Sequence, residues 1–472
     1  MTAHSQTSDR PNPIPAFLER FWEQDILPTL TEYIRIPNKS VHFDPDWAKN
    51  GHMDRAIELI AGWCRQHPLP GMKMDVHRLA GRTPVLLVEV PGTGTGNTLI
   101  YGHLDKQPEF TGWAEGLAPW QPVRRDDKLY GRGGADDGYA IFASFAALHW
   151  LLESGRTFGR TLILIECSEE SGSPDLPAYM EALADRIGQP ELVVALDSMC
   201  GNYDQFWSTT SLRGNLLGTL KVEVLTEGVH SGAASGIVPS SFRVLRQLLD
   251  RIENSQTGEI LPEFLKTCIP TYRVAEAAHA ADVLNEKIAS AYPFVSGMRP
   301  ITRDYSEQLL NNTWRTTLCV TGVDGIPTLA NAGNTLRPYT TVKLSLRLPP
   351  DLDAKTCASE LKKLLEREPP YGANVTFDIT SADTGWNAPA FTPKLNQQLQ
   401  DVSQRYFGKP AVHYGCGGTI PFMRFLSDRL PDAQFVVTGV LGPHSNAHGP
   451  NEFLHIPMVK QVTACVADLL AQ

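Results

Sequence analysis

The stretch "LILIECSEESGSPD", residues 162–175, ends a run of buried-type aliphatics on Glu166 and then sets Glu169 and Glu170 side by side. Adjacent carboxylates repel, so the pair needs either solvent or a positive partner. Four other places hold residues of the same chemical type: His103 and Asp105 in "YGHLD", Asp136 and Asp137 in "GADDGYA", Asp197 in "ALDS", and His448 in "NAHGPNEF". Two imidazoles and three carboxylates, one carboxylate being shared, can hold two divalent ions of the zinc type and leave positions open for water. Ions about 3.5–4 Å apart can generate hydroxide at neutral pH and clamp the charge on an attacked carbonyl, which suits amide hydrolysis.

The spacings divide the labour. His103 and Asp105 stand two apart on what begins as a strand, so both can point to one side, with Asp105 orienting the imidazole from behind. Glu169 and Glu170 cannot do one job from one point. One can bind metal while its neighbour takes and returns a proton, and the metal's charge offsets their repulsion. Singly, each motif has an ordinary explanation. "HLD" and "EES" occur in solvated loops, His448 could be a surface histidine near His444, and Asp136 and Asp137 could cap the helix that follows. All five falling in loops after strands is what points to a site.

The elements that must carry these loops come in two kinds. Residues 85–90, 99–101, 162–165 and 192–196 are continuous apolar runs, the mark of strands buried on both faces. "AIFASFAALHWLLESG" supplies a covering helix, with Ile141, Phe145, Leu148 and Leu152 at helical spacing and Gly155 as its stop. In an open α/β sheet of this kind, ligands collect at the carboxyl ends of the strands. Between residues 210 and 388 the pattern changes to strict alternation. Leu220, Val222 and Val224 share one face of "TLKVEVL", and Val342, Leu344, Leu346 and Leu348 share one face of "TVKLSLRL". Each precedes a helix, and with "WRTTLCVTGV" and "NVTFDIT" they predict a split βαβ unit. The stretch 256–312 does not fit that unit and reads as an insertion within it.

The expected fold is therefore α/β: a mixed, mainly parallel sheet sandwiched by helices, built from residues 1–209 and 389–472. A smaller α+β, ferredoxin-like domain over 210–388 is inserted into it. A length of 472 residues exceeds one compact core. No apolar run is long enough to span a bilayer. "MTAHSQTSDRPNPIP" lacks the apolar segment of a secretory signal, so a cytoplasmic location is expected. Eight cysteines without a CxxC pair suit reduced thiols, and a net charge of -10 argues against a nucleic-acid partner.

The motifs "YGHLDKQP", "LYGRGGADDG", "ECSEESGS", "VVALDS", "VHSG", "GCGGTIPF" and "AHGPNEF" occur in an order that resembles the M20 family of di-zinc metallopeptidases, in particular its carnosinase-like dipeptidase branch. The resemblance runs over most of the chain. It implies that His103 and Asp197 hold one metal, that Glu170 and His448 hold the other, and that Asp136 bridges them. Zinc is the expected ion, with manganese or cobalt as alternatives. It further implies Glu169 as general base and acid, Asp105 as the partner of His103, and His230 of "VHSG" as the donor to the oxyanion. The inserted domain becomes a lid that also makes a homodimer, across which His230 is often donated.

Two departures bear on the substrate. Gly138 stands where the family usually has a lysine after the paired aspartates. Cys416 stands where carnosinase-like relatives carry the acid that binds a free amino group, so N-acylated or otherwise blocked substrates are allowed beside dipeptides. Cys416 and Gly417 are taken as substrate-binding on this resemblance, although a small free cysteine can equally be a packing residue. "NAGNTLRPYTTV" offers Asn334, Arg337 and Tyr339 for the substrate's carboxylate end, Arg337 being the natural anion clamp. The alternatives to a dipeptidase are an aminoacylase or amidohydrolase acting on a non-peptide amide, and a binding protein without turnover on the same fold.

Overall fold

The computed structural model describes residues 14–472, so most of the polar N-terminal stretch read above lies outside the described residues. A nine-stranded sheet forms the larger unit. Its order is Lys73–His77, Val85–Val90, Arg160–Glu166, Asn97–His103, Leu192–Ala195, Gln434–Val437, Trp207–Leu212 and Trp386–Asn387, with Val412–Cys416 pairing on Trp207–Leu212. The four central strands, from Arg160–Glu166 to Gln434–Val437, are parallel, and antiparallel strands flank them.

The continuous apolar runs have a direct cause in this sheet. Along its strands alternate residues enter opposite cores: Leu86, Val88, Ile100, Ile163, Ile165, Val194 and Val436 on one face, and Leu87, Leu99, Leu162, Leu164, Val193 and Phe435 on the other. Helices His52–Gln66, Ala140–Glu153, Pro393–Phe407 and Ile456–Leu470 cover the first face. Helices Leu176–Ala182 and Pro421–Arg429 cover the second. Each fully buried aliphatic side chain contributes about 1.5–3 kcal/mol, and it is the strands bearing these runs that hold the two cores together.

The smaller unit is a four-stranded antiparallel sheet in the order Thr317–Asp324, Tyr339–Leu348, Gly214–Glu223 and Asn374–Asp383. With helices Ser241–Leu249 and Ala354–Glu366 on one face, its chain order is the predicted β-α-β-β-α-β. Leu220, Val222, Val342, Leu344, Leu346 and Leu348 all point into its core, as the alternation requires.

Two features lie outside the expected pattern. Strand Trp207–Leu212 spans residue 210 yet belongs wholly to the large sheet, and so does Trp386–Asn387, so the chain crosses to the small sheet at Arg213. The stretch expected as an insertion divides between the units. Ile260 and Leu265 join the small core, whereas Ala277, Ala280, Ala281, Leu284, Leu309, Leu310 and Trp314 return to the core of the large one.

Candidate metal centre

The carboxyl ends of the parallel strands deliver the first ligands. His103 closes Asn97–His103 and is fully buried, and Asp197 follows two residues after Leu192–Ala195. Gly102 has to be glycine: a Cβ there would stand 2.6 Å from Ala140 Cβ and 2.7 Å from Asp137 Oδ2. That clearance lets Asp137 Oδ2 accept the backbone N–H of His103 at 3.3 Å.

Asp136 lies between the two histidines. Its Oδ1 is 3.5 Å from His103 Nε2, and its Oδ2 is 3.1 Å from His448 Nε2. Glu170 Oε2 is 3.2 Å from His448 Nε2. On the other side, His103 Nε2 is 3.9 Å from Glu169 Oε2 and 3.8 Å from Asp197 Oδ2. Two groups of potential ligands result, one of His103, Asp136 and Glu170 and one of His103, Glu169 and Asp197. Neither aspartate serves the capping role open to it, because helix Ala140–Glu153 receives no side-chain cap.

The atoms facing the centre need a cation. His103 Nε2, Asp136 Oδ2 and Glu170 Oε1 are buried without a hydrogen-bond partner, a costly state unless something else satisfies them. Charge tells the same story. Burial opposes protonation of His448, yet the carboxylates of Asp136 and Glu170, 3.1 and 3.2 Å from its Nε2, push its pKa up to about 11. Burial, with the nearby charge of Asp136, raises Asp197 to about 7. Burial and the charge of Asp197 raise Glu169 well above the usual carboxylate range. The donor set thus fits divalent metal, which would supply the positive charge these groups otherwise draw from protons.

Asp105 is fully buried, but it does more than face the imidazole. His103 Nδ1 is 3.0 Å from the Asp105 main-chain carbonyl and 3.6 Å from its carboxylate. The carboxylate instead accepts the backbone N–H groups of Glu169 at 3.0 Å and Glu170 at 2.9 Å. Asp105 therefore holds both the ring and the turn bearing the paired glutamates.

Several supporting residues carried no sequence signal. Gln107 Nε2 donates to Glu170 Oε2 at 2.6 Å. Arg132 donates to Glu452 Oε2 and to the Gly449 carbonyl, both at 2.6 Å, and so fixes the loop that presents His448. Gln107 stands in "YGHLDKQP", Arg132 in "LYGRGGADDG" and Glu452 in "AHGPNEF", stretches whose order is legible while these residues' partners are not.

The expected substrate residues are spread more widely. His230 is exposed on a two-stranded ribbon, Val229–His230 against Thr335–Leu336. Asn334 accepts the Ser231 backbone N–H there at 2.9 Å, Arg337 is half-buried nearby, and Tyr339 opens a strand of the small sheet. No hydrogen bond or ion pair among the described residues joins these four to the two-histidine cluster. Cys416 is buried, its Sγ 3.7 Å from the sulfur of Met199, two residues beyond Asp197. Gly417 follows it, and its carbonyl accepts Arg213 Nε at 3.2 Å.

Sheet, ligand groups and motif order together define a metallopeptidase. The chain belongs to the peptidase family M20/M25/M40, whose model matches residues 99–472. Among its relatives, the cysteinylglycine-S-conjugate dipeptidase of Corynebacterium striatum is 24% identical over 393 residues, covering 82% of this chain and 83% of that one. The human beta-Ala-His dipeptidase is 25% identical over 378 residues, covering 75% and 73%. The solved M20-family metallo-carboxypeptidase of Sulfolobus solfataricus shares the fold, with a TM-score of 0.75 at 20% identity, over 94% of this chain and 98% of that one.

Proposed function

We propose that this peptidase hydrolyses the amide bond of a dipeptide or an N-acyl amino acid at a centre of two divalent ions. The observation that carries the reading is the convergence of His103, Asp136, Glu169, Glu170, Asp197 and His448 with buried, unpartnered ligand atoms. His103 and Asp197 would hold one ion, Glu170 and His448 the other, with Asp136 between them. When bound, such a pair supplies hydroxide at neutral pH and offsets charge on the attacked carbonyl.

The chain's own groups perform the proton work. Glu169, with Oε2 3.9 Å from His103 Nε2 at the edge of the ligand cluster, is placed to take a proton from the attacking water and give it to the leaving amine. Asp105 keeps Glu169 in place through its backbone N–H. His230 is assigned as the oxyanion donor, a role worth several kcal/mol of barrier. Its exposure far from any contact with the cluster in its own chain supports donation by a second copy in a homodimer.

The names of the relatives support dipeptide substrates. Cys416 supports a blocked amino end, because burial raises its thiol pKa and keeps it neutral where an ammonium would seek a carboxylate. Hydrolysis of matched free and N-acetylated dipeptides and of N-acyl amino acids, with zinc, manganese and cobalt forms, tests the reading. Preference for blocked substrates favours the aminoacylase-like alternative, and tight retention without product favours a binding protein.

A further inference from the structure

Glu166 is buried and takes no part in the ligand set, yet it sits directly before the turn that bears Glu169 and Glu170. The hydrogen-bond partners of its carboxyl among the described residues are all hydroxyls. Oε1 accepts from Tyr101 and from Ser173, each at 2.7 Å, and Oε2 accepts from Ser168 at 3.0 Å. Ser168 and Ser173 are the two ends of the turn, joined by a backbone hydrogen bond of 3.0 Å from the Ser173 N–H to the Ser168 carbonyl. A buried carboxyl without a cation is costly, so three aimed hydroxyls are what make it tolerable.

The turn itself requires holding. Ser173 has a left-handed φ of +52°, which costs a non-glycine residue free energy and persists only where neighbours fix it. Asp105 grips the middle of the turn by the N–H groups of Glu169 and Glu170. Glu166 grips both ends. Every remaining freedom of the two working glutamates is then in their side chains.

We propose that Glu166 is a positioning residue, whose carboxyl clasps the Ser168 and Ser173 hydroxyls and so fixes the backbone from which Glu169 and Glu170 reach the metal centre. The proposal rests on the metal-dependent reading above. Loss of this clasp leaves the ligands present but looser, an effect that typically weakens metal binding or turnover by 10- to 100-fold, to order of magnitude.

The test uses the full-length protein with Ser173→Gly and Glu166→Gln, alone and together. Glycine adopts a positive φ without strain, so Ser173→Gly removes the hydroxyl while leaving the turn's conformation accessible, and a lower melting temperature from the hydrogen bond lost to Glu166 is expected with the fold kept. It is expected to lower zinc affinity, measured against a competing chelator, by about tenfold or more, and to lower kcat by a similar factor with KM nearly constant. Glu166→Gln replaces one accepting oxygen by a donor and weakens the clasp from the other end, so a smaller loss in the same direction is expected, and the double variant should lose less than the sum of the single losses, because both act on one linkage. Unchanged zinc affinity and kcat in folded Ser173→Gly, or strictly additive losses, would overturn the assignment. If Glu166→Gln does not fold, Ser173→Gly decides alone. A wild-type protein that binds zinc but cleaves no amide refutes the proposed reaction, and the zinc titration still judges the clasp.

Discussion

His448 Nε2 comes within 3.1 Å of Asp136 Oδ2 although the two lie 312 residues apart in the chain. The contact is made by a loop with a left-handed φ of +62° at His448 and by a turn pressed against the end of a buried strand. A centre assembled from such distant parts needs a bound cation to stabilise it. About two metal equivalents per chain are therefore expected by elemental analysis. Chelation should abolish hydrolysis and lower the melting temperature, since a ligand at a thousandfold its Kd stabilises by about 4 kcal/mol. A chelated protein with full activity and an unchanged melt would contradict the two-metal reading.

Glu169→Gln keeps size and polarity but cannot carry the proton. Turnover should fall by roughly 10²–10⁴ with metal content unchanged. Measuring both separates proton transfer from ligation, because a loss of metal in the same variant would make Glu169 a ligand, as its grouping with His103 and Asp197 permits.

The Arg132–Glu452 pair offers a stability test away from the reacting atoms. Both side chains are buried, and Glu452 Oε1 also accepts the Gly133 backbone N–H at 2.9 Å. Glu452→Ala leaves the guanidinium without its charged partner and should cost about 3–5 kcal/mol in urea unfolding. A cost below about 1 kcal/mol would mean that water reaches the guanidinium.

His413 predicts a pH dependence that owes nothing to the metal. Its ring meets the Ser208 hydroxyl at 2.6 Å and Asn396 Oδ1 at 3.0 Å. Burial, together with nearby His279 and Arg273, lowers its pKa to about 4 from an ordinary 6.5. The unfolded chain then binds more protons between those values. Its contribution is complete above pH 6.5 and is lost as the pH falls toward 4, by about 3 kcal/mol. Denaturant melts of wild type and His413→Asn from pH 4 to 8 should diverge in that window only.

Much of this could be read from residue types. Apolar runs buried on both faces and alternation in the small sheet follow from periodicity alone, and paired acidic residues after strands marked the metal loops. What escaped had weaker signals. Helix Thr271–Leu284 buries mainly alanines against the large core, so it shows no stripe of large side chains to declare its partner. The Asp105 carboxylate serves backbone N–H groups, which every residue has, so nothing in the sequence identifies its partners. Glu452 and Arg132 are ordinary charged residues until the fold buries them together.

The return of residues 271–314 to the large core alters how the small unit is attached. The chain passes between the two cores near Arg213, between Leu265 and Thr271, between Trp314 and Thr317, and again between Asp383 and Trp386. A unit hung on two adjacent linkers can pivot freely about them. One stitched at four places has its orientation on the large sheet set by four crossings instead of two. Arg213, at the first stitch, also holds the Gly417 carbonyl and the Thr317 hydroxyl. The first crossing between the two cores is thereby tied by one side chain to both the Cys416–Gly417 segment and the edge strand of the small sheet.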